Sequence, residues 1–253
     1  MVSAGDAARD SRSPTELDHG EAFLALGKRA TTRAAALING TAAHTVEVDD
    51  IYRDGIYHPG APTIAAALRC WQGLRPRRLS CAAVVVGYEI STRIGAAMGR
   101  AHYKHWHNTG TIGCFGAAAA CSRSCSALTQ ERFAHALATV ATFAAALQQA
   151  FRMDSMSKPL HAGRAAEAGV TAALAAQAGV TGSLDCMGEA ASAARWATSR
   201  TGRRRSPRSA ADFHITSMTF KNHACCGHTF AAIDGALEVQ EKLGFRARAI
   251  FAA

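Results

Sequence analysis

Alanine-rich stretches with helical spacing recur along most of the chain, and they constrain its fold more than any other feature. They cover residues 21–43, 61–72, 80–100, 110–127, 129–150 and 161–179. In the fifth stretch Thr129 is a candidate N-cap, and an apolar stripe follows at steps of three, four and seven, formed by Phe133, Leu137, Val140 and Leu147. Small side chains let helices approach closely, so the sequence predicts a mainly α protein built as a helical array.

The chain divides into four parts by composition. Residues 1–20 are polar and predict a loose N-terminal segment, whereas residues 21–189 hold the helical stretches. Residues 190–211 are rich in arginine and serine, which is typical of a solvated linker or an aberrant segment. Residues 212–253 contain "FHITSMTFK", which predicts a short strand, and then a predicted helix over 228–243. We interpret this last part as the incomplete start of a smaller α/β domain.

The formal net charge of +9 is concentrated in one place. Six arginines and no acidic residue lie within 190–211, so the rest of the chain is only weakly basic. The arginines lack the interleaved aromatic residues and the motifs that nucleic-acid-binding proteins carry. We therefore expect no nucleic-acid partner.

Apolar runs and cysteine usage predict a soluble, cytoplasmic protein without a membrane partner. The longest apolar runs, such as "CAAVVVGY", are shorter than the roughly 20 residues that cross a bilayer. The first twenty residues lack the apolar region of a signal peptide. The eight cysteines lie mostly in apolar or alanine-rich segments without the spacing of a disulfide framework, so we expect reduced thiols.

One short turn, "EVDDIYRDGIYHPGAPT", gathers an unusual amount of charge. It holds His58 within twelve positions of four acidic residues, which are Glu47, Asp49, Asp50 and Asp54. Three interpretations are open from these residues alone. Asp49 or Asp50 caps a helix, or the turn is part of a metal site, or a carboxylate orients the imidazole of His58 for proton transfer.

A second turn, "HYKHWHNTGTIGCFG", is rich in histidine and contains His102, His105 and His107. Their spacing matches no standard zinc signature, and the sequence has neither HExxH nor paired CxxC motifs, so we expect no metal. The glycine- and alanine-rich run after His107 predicts a helix start whose free N–H groups could hold a carboxylate.

Two further segments place a lysine beside histidines. In "SKPLHAGR", Lys158 lies at a predicted helix N-terminus, and His161 and Arg164 share a face of that helix. In "FKNHACCGH", a lysine precedes two histidines and two cysteines, which are Lys221, His223, Cys225, Cys226 and His228. Ordinary exposed lysines are the simpler interpretation. Clustered cationic groups also suit an anionic, carboxylate-bearing substrate.

Four quoted segments resemble one family when they are taken together and in order. "AALINGTAAHTVEVDDIYRDGIYHPG", "WHNTGTIGCFGAAAA", "SKPLHAGRAAEAG" and "FKNHACCGHTFAAIDGAL" are similar to the MmgE/PrpD family, which includes 2-methylcitrate dehydratase, cis-aconitate decarboxylase and iminodisuccinate epimerase. The resemblance implies a large all-helical domain, a smaller α/β lid domain, a homodimer, and chemistry on small di- or tricarboxylates that needs no cofactor or metal.

The resemblance also implies roles for individual residues. The catalytic candidates are His58, His107, Lys158 and Lys221. The substrate-binding candidates are Glu47, Asp49, Asp50, His161, Cys226 and His228. Cys226 stands where the decarboxylase has a histidine, so decarboxylation is the least expected activity. In the implied mechanism the two lysines bind substrate carboxylates, and His58 and His107 act as general base and acid.

Three functions follow from these observations. The first is a 2-methylcitrate dehydratase-like lyase, with an epimerase or isomerase of small dicarboxylates as the variant of the same chemistry. The second is an inactive remnant, because the chain is much shorter than family members and lacks most of the lid. The third, a nucleic-acid-binding protein, depends only on the arginines within 190–211.

Overall fold

The computed structural model describes residues 17–68 without 26 and 28, 77–125, 128–186 without 154, and 212–244. Within these ranges the protein is mainly α, which confirms the predicted fold class. The helices are α1 (Thr32–Thr45), α2 (Gly60–Leu68), α3 (Arg77–His102), α4 (Asn108–Thr111), α5 (Gly113–Cys125), α6 (Gln130–Ala141), α7 (Gln149–Arg152), α8 (Lys158–Gln177) and α9 (Phe230–Leu243). Short 3-10 helices lie at His214–Ser217 and Gly227–Thr229.

Four short strands form two small antiparallel pairs. One pair is β1 (Leu17–Phe23) with β2 (Arg29–Ala30), and the other is β3 (Asp50–Ile51) with β4 (Thr219–Phe220). In the second pair Asp50 lies opposite Phe220 and Ile51 lies opposite Thr219. The strand inside the acidic turn is therefore paired with a strand that lies almost 170 positions further along the chain.

Helix α8 lies at the centre of the helical array and packs against α1, α5 and α6. Its contact surface consists largely of alanine and glycine, and buried alanines of α1, α2 and α5 complete the core around it. The closest approach is between Gly40 and Gly163, where a Cβ on Gly40 would lie 2.9 Å from the Cα of Gly163. Only residues without a side chain fit this crossing.

The direction of α1 against α8 determines where the functional side chains meet. Gly40 contacts Gly163, and beyond the end of α1 Glu47 contacts Lys158, so the two helices run antiparallel. The C-terminal end of α1 therefore lies beside the N-terminal end of α8. The acidic turn and the "SKPLH" segment meet at this end of the array.

Segment 212–244 docks on the acidic turn and on α3. Besides the β3–β4 pair, the backbone N–H of His214 donates to Glu89 at 2.9 Å, and the Tyr52 hydroxyl lies 3.0 Å from His214 Nδ1. Helix α9 contributes no buried residue, and Leu237, Val239 and Leu243 on it are exposed.

Three predicted element boundaries are wrong. Residues 21–23 belong to a strand, and α1 begins only at Thr32, because glycines with positive φ, Gly20 at 122° and Gly27 at 90°, favour a hairpin. The helix predicted over 129–150 ends at Ala141, and a short helix follows at Gln149–Arg152. Within the predicted strand, His214–Ser217 forms a 3-10 helix, which leaves only Thr219–Phe220 extended.

Of the remaining predictions, one is confirmed and others concern residues that the structure does not describe. Thr129 is the N-cap of α6, as expected, and its hydroxyl accepts from the N–H of Arg132 at 3.3 Å. Most of the predicted loose N-terminal segment and the whole of the Arg/Ser-rich segment lie outside the described residues. In the described part of the chain, one helix, Cys81–His102, has the length and composition of a membrane span, and it packs against α5.

Candidate active site

Glu47 joins the two lysines that the sequence singled out. Its carboxylate pairs through Oε1 with Lys158 Nζ and through Oε2 with Lys221 Nζ. The residue has a positive φ of 55°, a left-handed conformation that costs free energy for a side chain of this kind. This uncommon backbone conformation thus places the Glu47 carboxylate between the ammonium groups of Lys158 on α8 and Lys221 in segment 212–244.

Asp49 is the centre of the charged cluster. Its Oδ2 lies 2.5 Å from Nδ1 of His44, and its Oδ1 lies 2.9 Å from Nζ of Lys221 and 3.6 Å from Nδ1 of His58. Burial raises its pKa, but the hydrogen bond from His44 and the positive charges nearby outweigh that effect and lower the pKa to about 2. Asp49 is therefore ionised, and both of its oxygens are occupied by protein groups.

His58 is oriented by the backbone. Its Nδ1 donates to the backbone carbonyl of Asp50 at 2.7 Å, because a carbonyl can only accept. The ring therefore carries its hydrogen on Nδ1 and presents Nε2 as the basic nitrogen. Burial lowers the His58 pKa to about 4, so the ring is neutral near pH 7. Its backbone N–H donates to the hydroxyl of Thr109 at 3.2 Å, which ties the turn to α4.

Asp50 confirms the capping interpretation in part. Its Oδ1 accepts from the N–H of Gly60 at the start of α2, at 3.0 Å, and its Oδ2 accepts from the hydroxyl of Tyr88 at 2.7 Å. Burial raises the Asp50 pKa to about 6, although both hydrogen bonds act against that shift. The adjacent aspartates thus make different contacts: Asp49 lies beside a lysine and two imidazoles, and Asp50 ties the turn to α2 and α3.

His44 is a site residue that the sequence reasoning missed. It lies in the last turn of α1 and is completely buried, with its ring 5.0 Å from that of His58 and 5.6 Å from that of His107. Burial lowers its pKa, although Asp49 favours the charged ring. The spacing could have revealed it, because His44 follows Leu37 and Thr41 at steps of four and three on the buried face of α1.

His107 and His161 form a direct imidazole pair. Their Nδ1 atoms are 2.9 Å apart, although 54 positions separate them in the chain. His107 is buried before α4, with its ring edge-on to Phe151 at 4.6 Å, and His161 lies in the first turn of α8. Burial lowers the pKa of both rings, that of His161 to about 4. Both are therefore neutral near pH 7.

Lys158 opens α8 and lies over the ring of Phe151, with Nζ 5.4 Å from the ring centroid. Burial and the neighbouring charge of Lys221 lower the Lys158 pKa to about 8, even though its ion pair with Glu47 favours the charged form. The second lysine, Lys221, has a completely buried side chain. Two ammonium groups thus converge on one place from different parts of the chain.

Several predicted residues lie away from this cluster. Arg164 is mostly exposed beside Glu167 at 3.5 Å, and His223 pairs with Asp234 at 2.7 Å. Exposed positions hold Asp54, His105, Cys226 and His228. The sulfur of Cys226 lies 3.3 Å from Nδ1 of His228, and Cys226 remains near enough to raise the pKa of Lys158 slightly. His102 is buried and its Nε2 lies 2.8 Å from the Thr111 hydroxyl.

A mainly apolar cleft of about 420 Å³ borders the cluster. Its polar lining residues are Asn39, Asp49, Asp50 and Tyr88, and the rest is lined by small and aliphatic residues together with Phe220. Among the described residues, no group of three or more His, Cys, Asp or Glu side chains is arranged to hold a metal ion. What the cluster offers chemically is two ammonium groups beside several neutral imidazoles.

The chain was also compared with known proteins. A family model described as the MmgE/PrpD N-terminal domain matches residues 3–203, which is most of the chain. No match was found with a curated protein.

Proposed function

The chain belongs to the MmgE/PrpD family, and on that premise we propose that it is a lyase that dehydrates small di- or tricarboxylates in the manner of a 2-methylcitrate dehydratase. The reaction would proceed by proton transfer at the carbon next to a carboxylate, without a metal. The proposal includes a cytoplasmic homodimer, as the family resemblance implies.

One observation carries the proposal: the convergence of Lys158 and Lys221 on a single carboxylate, that of Glu47, beside two neutral imidazoles. Two ammonium groups that already hold one carboxylate have the charge and spacing to hold a substrate carboxylate. When a proton leaves the adjacent carbon, negative charge spreads onto that carboxylate. The two cations would stabilise this negative charge most strongly in the transition state, which lowers the activation free energy.

The imidazoles would supply the proton transfers. His58 presents a basic Nε2 because its Nδ1 hydrogen is committed to the Asp50 carbonyl. His107 comes from a different element and has His161 on its Nδ1. For a dehydration, one ring would remove the α-proton and the other would protonate the departing hydroxyl. Lowered pKa values leave both rings neutral near pH 7, so the ring that acts as base has a free lone pair, and the ring that acts as acid would give up the N–H hydrogen of a neutral imidazole.

An epimerase of a small dicarboxylate is the second candidate, and the origin of the two rings on different elements favours it. His58 and His107 lie on different elements, and the ring of His44 contacts both. Two proton-transfer groups on different sides of a substrate are what removal and return of a proton require. Both candidates begin with abstraction of an α-proton, so one experiment addresses both.

Proton exchange in D₂O, followed by NMR, tests the proposal. The protein is incubated with 2-methylcitrate, citrate, aconitate and a panel of dicarboxylates. We expect deuterium at an α-carbon of at least one of them, with formation of an alkene for a dehydratase or of the opposite stereoisomer for an epimerase. His58→Ala should slow exchange by about 100-fold or more, whereas His105→Ala, at an exposed position outside the cluster, should not. Absence of exchange with every compound would support the inactive remnant.

A further inference from the structure

The pair formed by His107 and His161 is unusual because the same nitrogen of each ring faces the other. Their Nδ1 atoms are 2.9 Å apart, a hydrogen-bond distance. A hydrogen bond needs one donor and one acceptor, so one Nδ1 carries a hydrogen and the other carries a lone pair. Because each neutral imidazole carries one N–H, the two rings must be opposite tautomers.

The pair therefore has two neutral states. In the first, His107 carries its hydrogen on Nδ1, and its Nε2 is a base. In the second, His161 carries the Nδ1 hydrogen, and His107 has an N–H at Nε2 and is an acid. Movement of one proton across the hydrogen bond, with matching changes at the two Nε2 atoms, converts one state into the other.

The surroundings of the two rings differ in a way that gives the pair a direction. His107 is buried, with 1% of its surface exposed, whereas His161 is partly exposed at the start of α8. His107 also contacts the ring of His44, but that ring is completely buried and its Nδ1 is held by Asp49. Of the two described imidazoles whose rings contact His107, His161 is thus the one with access to solvent.

We propose that His161 relays protons between His107 and solvent, so that His107 changes from base to acid, or back again, without accumulating charge. This inference rests on the proposed function, in which His107 exchanges a proton with the substrate. His161 is then a proton-relay residue, not a substrate ligand as the sequence implied.

The steps balance in protons. When Nε2 of His107 accepts a proton from the substrate, its Nδ1 proton passes to Nδ1 of His161, and the Nε2 proton of His161 leaves to water. The reverse sequence supplies a proton when His107 acts as an acid. Burial lowers the pKa of His161, and the positive charge of Lys158 lowers it further, which favours release of the proton to water. No other co-reactant is needed.

Turnover of His161→Ala at increasing imidazole concentrations tests the relay, in a buffer that carries no proton efficiently. We expect kcat to fall at least tenfold and to rise again in proportion to imidazole, whereas the wild type and His105→Ala should not respond to it. His161→Asn keeps a hydrogen-bond donor near Nδ1 but cannot relay a proton, so it should behave like the alanine variant. Full activity of His161→Asn, or loss of activity in His161→Ala without rescue, would overturn the relay.

A measurement that needs no turnover separates this inference from the proposed function. The ¹⁵N shifts of the imidazole nitrogens report which nitrogen of each ring carries hydrogen. We expect opposite tautomers for His107 and His161, or averaged Nδ1 shifts if the proton moves rapidly between them. The same tautomer in both rings would refute the relay even in an active protein, whereas opposite tautomers in a protein without proton exchange would leave the pair intact and refute the proposed function alone.

Discussion

The Nζ of Lys221 lies 2.9 Å from Oδ1 of Asp49, and the backbone N–H of the same lysine donates to the backbone carbonyl of Asp49 at 3.3 Å. A residue from the far end of the chain is thus fixed to the acidic turn through both its main chain and its side chain. The relationship explains two of the four acids in the turn: Glu47 and Asp49 balance lysines that arrive from elsewhere in the chain.

Replacing Lys221 by Met should destabilise the protein, because the buried carboxylate of Asp49 would lose its only lysine partner among the described residues. Breaking a buried ion pair on one side costs about 3 kcal/mol or more of unfolding free energy. Urea denaturation measures it. Lys242→Met is the matched control, because Lys242 is exposed and pairs with exposed Glu238 on α9. We expect that control to change stability by less than about 0.5 kcal/mol. Equal effects of the two variants would contradict the structural role of Lys221.

His44 should be replaceable by Asn but not by Leu. Asn keeps an N–H near the position of Nδ1 and can still donate to Asp49, whereas Leu leaves Oδ2 of that carboxylate buried without its donor. An unsatisfied buried group costs about 1–3 kcal/mol, so the leucine variant should be less stable than the asparagine variant by that amount. The carboxyl ¹³C shift of Asp49, followed against pH, should show a pKa near 2 in the wild type and a higher pKa in His44→Leu. An unchanged pKa in that variant would show that His44 does not stabilise the carboxylate.

Gly163→Ala should separate α1 from α8. The added Cβ would meet the Thr41 hydroxyl at 2.1 Å and the backbone oxygen of Leu37 at 2.2 Å, and backbone cannot yield as a side-chain tip does. We expect a loss of about 2 kcal/mol or more of unfolding free energy. Gly235→Ala on α9 is the matched control, because nothing lies within 4 Å of its added Cβ. There the better helix propensity of alanine should stabilise the protein by up to about 1 kcal/mol. Similar losses at both glycines would contradict the close crossing.

The stability of the protein should fall as pH falls from about 6.5 to 4. The pKa of both His58 and His161 is lowered by burial to about 4 in the folded protein, against 6.5 for the ordinary value. A lowered folded pKa stabilises the protein above the unfolded pKa, and this contribution is lost as pH falls through the folded one. His44 and His107 act in the same direction. Asp50 acts oppositely, because its raised pKa of about 6 means that protonation favours the fold.

Urea denaturation at pH 7, 5.5 and 4 measures this dependence. The unfolding free energy should fall less between pH 7 and pH 4 in His58→Asn than in the wild type, by on the order of 2 kcal/mol. His105→Asn, at an exposed position, should show the same pH dependence as the wild type. A pH dependence that is the same in His58→Asn and in the wild type would show that the buried imidazole of His58 does not resist protonation.

The helical array was predictable because its signal is local and repeated. Four of the six alanine-rich stretches lie within a few residues of the helices, and Thr129 marks the start of α6. The ends of those stretches were less predictable. Residues 21–23 have a composition that suits a helix equally well, and only the positive φ of Gly20 and Gly27 shows the hairpin. Boundaries of this kind depend on backbone conformations that a composition does not specify.

Several residues of the charged cluster were predictable, but His44 and the connections between the residues were not. Motif resemblance named His58, His107, Lys158 and Lys221, and the structure brings them to one end of the array. No sequence pattern shows that a backbone carbonyl, and not a carboxylate, accepts from His58 Nδ1. The pairing of His107 with His161 depends in the same way on the packing of α8, which local spacing does not encode.

The pairing of β3 with β4 also has a consequence for the order in which the protein folds. Glu47 and Lys221 are 174 positions apart, and closing a loop of that length costs roughly 5 kcal/mol of chain entropy. The contacts of α1 with α8 span a shorter stretch, and those of α5 with α6 are nearly local. The helices can therefore assemble first, which brings the imidazoles together. Lys221 joins the cluster later, when the chain closes the longest of these loops. Completion of the charge cluster would then mark the last step of folding.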